Sequence, residues 1–112
     1  MIKIHSPEDL HHLDHLENKK KILARFVLDG CPACEYSQPE WDKFSSRKAD
    51  YAIAEIEESF QRNFQERMAK RGALFDVHAY PTILMIHASS VKPVELKTLT
   101  RKRIKRKRKT RR

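Results

Sequence analysis

The chain is short of cysteine, of long apolar runs and, at one end, of aliphatic residues. Only Cys31 and Cys34 are present among 112 residues. Two cysteines cannot build a disulfide scaffold beyond one bridge, and a structural zinc site needs four ligands. No second cysteine pair exists, and His11, His12 and His15 fall on a different expected helix. A mixed Cys–His site is the one zinc alternative left, and no metal is expected. No apolar stretch approaches 18 residues, so no membrane span is expected. Met1-Ile2-Lys3-Ile4-His5-Ser6 lacks the apolar core of a secretory signal, which makes cytoplasm or nucleus the default expectation. A close cysteine pair in such a compartment is more often catalytic or metal-binding than a structural staple.

Residues 101–112 hold ten Lys or Arg and a single aliphatic residue, Ile104. The ten are Arg101, Lys102, Arg103, Lys105, Arg106, Lys107, Arg108, Lys109, Arg111 and Arg112. They account for the net charge of +9, because the first 100 residues carry 14 basic against 15 acidic side chains. The expected organisation is one domain over residues 1–98 and a basic tail over residues 99–112. Such a block repels itself and suits phosphate backbones, which it binds by counterion release without reading sequence. It also fits a nuclear localisation signal. No aromatic residue is interleaved, so base stacking is not indicated. An acidic protein surface is the other polyanion it could meet, and a plain solubilising tail is the simplest alternative.

The rest of the chain alternates helical and strand patterns. Ser6-Pro7-Glu8-Asp9 reads as a helix start, followed by Leu10, Leu13 and Leu16 to about Asn18. Ile22 to Leu28 suits a buried central strand, and Asp29-Gly30 ends it. A helix is expected from the cysteines to about Lys48, kinked at Pro39. Tyr51 to Ile56 reads as a strand, Ser59 to Arg71 as a helix stopped by Gly72, Thr82 to His87 as a strand, and Val91 to Leu96 as its hairpin partner. The order is that of an α/β domain.

Cys31-Pro32-Ala33-Cys34 stands where the first strand gives way to a helix. Unpaired N–H groups and the helix dipole there favour an anion on Cys31. Cys34 lies one turn on, close enough to attack a mixed disulfide formed at Cys31. The pattern therefore suits a dithiol redox site, with Cys31 as attacking and Cys34 as resolving thiol. Buried or incidental thiols are the plain alternative.

Three motifs in order carry a family resemblance over roughly residues 20–97. They are Cys31-Pro32-Ala33-Cys34, Pro39-Glu40-Trp41 and Val77-His78-Ala79-Tyr80-Pro81-Thr82-Ile83. On these the chain resembles a thioredoxin-fold domain of the protein disulfide isomerase type. The resemblance implies a three-layer α/β fold with a central mixed sheet and a cis Pro81 against the cysteine pair. It implies thiol–disulfide exchange with protein thiols, no cofactor, and a groove along Gly30, Pro32, Ala33 and Tyr80. A regular closing helix is not expected, since the basic tail cannot cover a sheet.

Three departures bear on the chemistry. The family usually has an aromatic residue where Gly30 stands, a buried acid where Arg25 stands, and a basic residue where Glu35 stands. Arg25 cannot act as a base. It can stabilise a thiolate, or turn away to pair with Glu35 or Glu55. Arg25, Glu35 and His78 are thus the expected redox-tuning groups. Loss of the buried acid and of the final helix favours an alternative in which the fold serves as a binding or structural subunit of a nucleoprotein or virion assembly, whereas retention of both cysteines and of Pro81 argues against it.

Overall fold

The computed structural model describes residues 1–99. The ten tail residues assigned to polyanion binding lie outside the described residues. Five strands form one sheet in the order β1-β3-β2-β4-β5. They are β1 (Ile2–Ile4), β2 (Lys21–Val27), β3 (Ala52–Glu57), β4 (Thr82–His87) and β5 (Ser90–Pro93). β1, β3 and β2 run parallel, and β4 and β5 run antiparallel to their neighbours. The mixed sheet has α1 (His12–Glu17) and α3 (Gln61–Ala69) on one face and α2 (Pro32–Ser45) on the other.

The two faces follow from the pleat, in which alternate residues point to opposite sides. On β2, Ile22, Ala24 and Phe26 join Leu13, Leu16, Phe64 and Met68 in the larger core. Leu23 joins Trp41 and Phe44 of α2 in the smaller one, and Val27 packs on the two cysteines. Arg25 shares that second face and so lies buried beneath α2. Phe64 is fully buried, with ring centres 5.8 Å from Phe26 and 6.1 Å from Phe75. Phe64→Ala is expected to cost about 3–5 kcal/mol in urea unfolding, because these rings cannot collapse into the space.

Several boundaries differ from the sequence reading. The first helix is divided, with a 3-10 turn over Pro7–His11 before α1. Asp9 closes its start by accepting from the backbone of His5 at 3.0 Å and of Ser6 at 3.1 Å. Those bonds, the His5 one foremost, hold the Asp9 carboxyl below its ordinary range. The second helix ends at Ser45, three residues before the expected stop, and runs on through Pro39. β5 stops at Pro93, and Leu96–Leu99 begin a helical turn instead of extending the strand. Leu96 and Leu99 pack on the Trp41 core, which is why that segment leaves the sheet. Whether a regular closing helix follows lies outside the described residues. β1 was not expected, and it adds a strand beyond β3.

Candidate active site

β2 ends at Val27, and the chain turns through Leu28, Asp29 and Gly30 before α2 begins. Gly30 has φ of +74°, the left-handed region where a side chain costs roughly 1–2 kcal/mol. A Cβ there would meet nothing within 4 Å, so backbone conformation alone accounts for this glycine. The departure from an aromatic at this position thus has a local cause.

Cys31 is the N-cap of α2, and Pro32 is its first helical residue. The Cys34 N–H donates to Cys31 Sγ at 3.1 Å, and the Glu35 N–H donates to the Cys31 carbonyl at 3.1 Å. The Cys31 thiol faces the carbonyl oxygen of Tyr80 at 3.7 Å. The Tyr80–Pro81 peptide is cis, and Tyr80 packs on Val27 and both cysteines. The Tyr80 hydroxyl is fixed by donating to Gln61 Oε1 at 2.7 Å. Both thiols are free and buried, Cys31 at 9% and Cys34 at 4% exposure, so a substrate sulfur reaches Cys31 first.

Burial raises the Cys34 thiol above its ordinary value, the bond to Cys31 adds to this, and Arg25 works against it. The resolving thiol is therefore protonated near neutrality. Its thiolate fraction rises about tenfold per pH unit below its pKa. The rate at which a Cys31 mixed disulfide resolves is expected to climb by about that factor per unit, roughly 100-fold between pH 6 and 8, in rapid-mixing measurements.

Beneath the dithiol lies a buried ionic cluster. Arg25 is 0% exposed and Glu55 is 2% exposed. Arg25 Nη1 donates to Glu55 Oε1 at 2.8 Å and to Gln38 Oε1 at 2.8 Å. Arg25 Nη2 donates to the Cys34 carbonyl at 2.9 Å and to Ser37 Oγ at 2.9 Å. The guanidinium also sits over the Trp41 ring at 5.5 Å. Glu55 Oε2 reaches Nε2 of His5, the residue just past the edge strand β1, at 2.8 Å. The arrangement ties the first turn of α2, and with it Cys34, to β2 and β3.

No protein-family model matches the chain, and no curated protein matches it. Solved structures do. The thioredoxin NaTrxh from Nicotiana alata has a TM-score of 0.63 at 20% identity, over 93% of this chain and 90% of that one. The fold is the thioredoxin fold. The germline-specific thioredoxin Deadhead from Drosophila melanogaster has a TM-score of 0.64 at 16% identity, over 94% of this chain and 98% of that one. The first thioredoxin domain of mouse protein disulfide-isomerase A4 has a TM-score of 0.55 at 18% identity, over 82% of this chain and 62% of that one.

The thioredoxin fold brings together Cys31, Cys34, Tyr80 and Pro81, with Arg25 below them. Pro32 and Ala33 are exposed on the first turn of α2. Glu35 is exposed, and Arg25 pairs with Glu55 instead of with it. His78 is exposed, and among the described residues no bond joins it to either sulfur. His5, Gln38 and Ser37 completed the cluster without being foreseen. The alternating Ile2 and Ile4 around Lys3 were the available signal for the strand that carries His5 to Glu55.

Proposed function

We propose that the protein is a thiol–disulfide oxidoreductase acting on protein disulfides through Cys31 and Cys34. The observation that carries this reading is Cys31 Sγ at the α2 N-cap, with the Cys34 N–H at 3.1 Å and the Tyr80 carbonyl opposite. An anion on that sulfur meets a backbone donor and the positive end of a helix. The Cys31 thiolate attacks one sulfur of a substrate disulfide. A bond from Cys31 to that sulfur forms, the substrate S–S bond breaks, and the departing thiolate takes a proton from water. Cys34 then gives up its proton and attacks Cys31 Sγ. The Cys31–Cys34 disulfide forms and the second substrate thiolate leaves. The substrate gains two electrons and the chain loses two, which a partner dithiol restores. Isomerase activity uses the same first step, with a substrate thiol in place of Cys34 in the second.

Substoichiometric chain is expected to accelerate the reduction of insulin disulfides by dithiothreitol. A rate equal to that of dithiothreitol alone overturns the reading.

The same proposal gives residues 101–112 the role of a polyanion tether, supported by ten Lys or Arg in twelve positions. Replacing those ten by Gln is expected to weaken salt-sensitive retention on immobilised nucleic acid, and retention equal to that of the parent chain across salt removes the tether.

One observation favours a second reading. The place below Cys34 holds the buried Arg25–Glu55 ion pair in place of an unpaired acid. A structural subunit in a nucleoprotein or virion assembly would use the fold with a slow dithiol. The insulin assay separates the two.

A further inference from the structure

The two ends of the sheet differ in charge. Asp29, Glu35, Glu57 and Glu58 stand at the dithiol end, where β2 and β3 finish. The opposite end holds an open cleft of about 620 Å³ lined by Lys19, Lys20, Lys21, Arg47, His15 and His87. Asp50 is the one acidic residue in its lining. In residues 1–99 acids outnumber bases by 15 to 14, so four bases against one acid in a single cleft is a segregation of charge.

The four cations are exposed, and among the described residues none of them pairs with a carboxylate. Their scaffold is fixed. Arg71 donates to the carbonyls of Glu17, Lys19 and Lys20, and to that of Ala88 at 3.0 Å. The Ala88 N–H donates to the Lys20 carbonyl at 2.8 Å. The lysine turn is thereby clamped to the end of β4, while its ammonium groups stay in solvent. Lys21 Nζ lies 5.0 Å over the ring of Tyr51, which sets it on the cleft wall. Arg47, just past the end of α2, lines the same cleft.

We propose that this cleft docks the phosphodiester backbone of single-stranded nucleic acid. Charge complementarity names a polyanion. Three of the four cations are lysines, point charges that meet phosphate oxygens at any angle, whereas carboxylates select the planar fork of arginine. The cleft is open, which suits a passing chain better than an enclosed small anion. It lies about 20 Å from the dithiol, the length of six strand residues, so bound nucleic acid leaves Cys31 accessible. The cleft stands on the folded body alone and shares with the tail only its ligand class.

The test uses the full chain and a labelled mixed-sequence DNA 20-mer, with anisotropy read across salt. Each phosphate contact to a single strand contributes about 0.7 to the slope of log affinity against log salt. K19Q/K20Q/R47Q is expected to lower that slope by about 2 and weaken binding about 100-fold at 0.1 M salt. R62Q/K92Q/K97Q, the same charge change at positions outside the cleft lining, is expected to leave the slope unchanged. Insulin reduction by both variants is expected to stay at the parent rate, which shows that they fold. An equal loss in the two triples overturns the proposal, as does an unchanged slope in the first. Displacement of the DNA by polyglutamate at equal charge overturns it in favour of an acidic protein partner. With the tail's ten bases changed to Gln, the cleft substitutions are expected to remove the binding that is left. Insensitivity there overturns the cleft alone, whereas a tail change without effect on affinity removes the tether alone.

Discussion

Arg25→Met is expected to destabilise the fold by about 3–5 kcal/mol, the cost of breaking a buried ion pair from one side. Arg25 and Glu55 are both almost wholly out of solvent, so screening by water does not reduce their interaction. Removing the guanidinium leaves the Glu55 carboxylate with His5 and Gln38, and deprives the Cys34 carbonyl and Ser37 of a donor. Replacing both members with apolar residues leaves no charge stranded, and such replacements are often near neutral. R25M/E55L is therefore expected to recover most of the loss. A urea double-mutant cycle measures this, and additive losses would contradict the account. Arg25 also favours the Cys34 thiolate, so R25M is expected to slow resolution of a mixed disulfide at neutral pH.

Cys31→Ser is expected to bring insulin reduction to the uncatalysed rate. A hydroxyl at this position is not ionised at neutral pH and forms no stable bond to a substrate sulfur, so no second step can compensate. Cys34→Ser removes only resolution. That variant is expected to react once and hold its substrate, with turnover limited by external thiol. The two phenotypes differ because Cys31 is the more exposed sulfur and Cys34 lies behind it with a raised pKa. Equal residual turnover in both variants would mean that the thiols are interchangeable.

Where the chemistry depends on chain order, the sequence is a good guide. A cysteine after an apolar strand and just ahead of a helix has little choice but to become an N-cap, and Tyr80-Pro81-Thr82 has to start the next strand. Thr82–His87 forms the strand that its pattern implies. What depends on tertiary contact is harder to read. Arg25 inside an apolar run looks like an exception, until the pleat of β2 and β3 sets it beside Glu55 with α2 above both. His5 looks like a terminal residue, until a three-residue strand brings it to the same carboxylate. The lysines at 19–21 look like a solvated turn, and only the meeting of four strand ends with the end of α2 makes them one wall of a cleft. His78 looks close to the thiols in sequence, yet its side chain turns outward.

The order of the two thiols is the centre of the account, and covalent capture tests it most directly. Cys34→Ser and Cys31→Ser are each mixed with a protein disulfide, quenched in acid and mapped by mass spectrometry. Substrate is expected on Cys31 in the first variant within the turnover time, and none on Cys34 in the second. Capture by Cys34 as fast as by Cys31, or capture by neither, would contradict it.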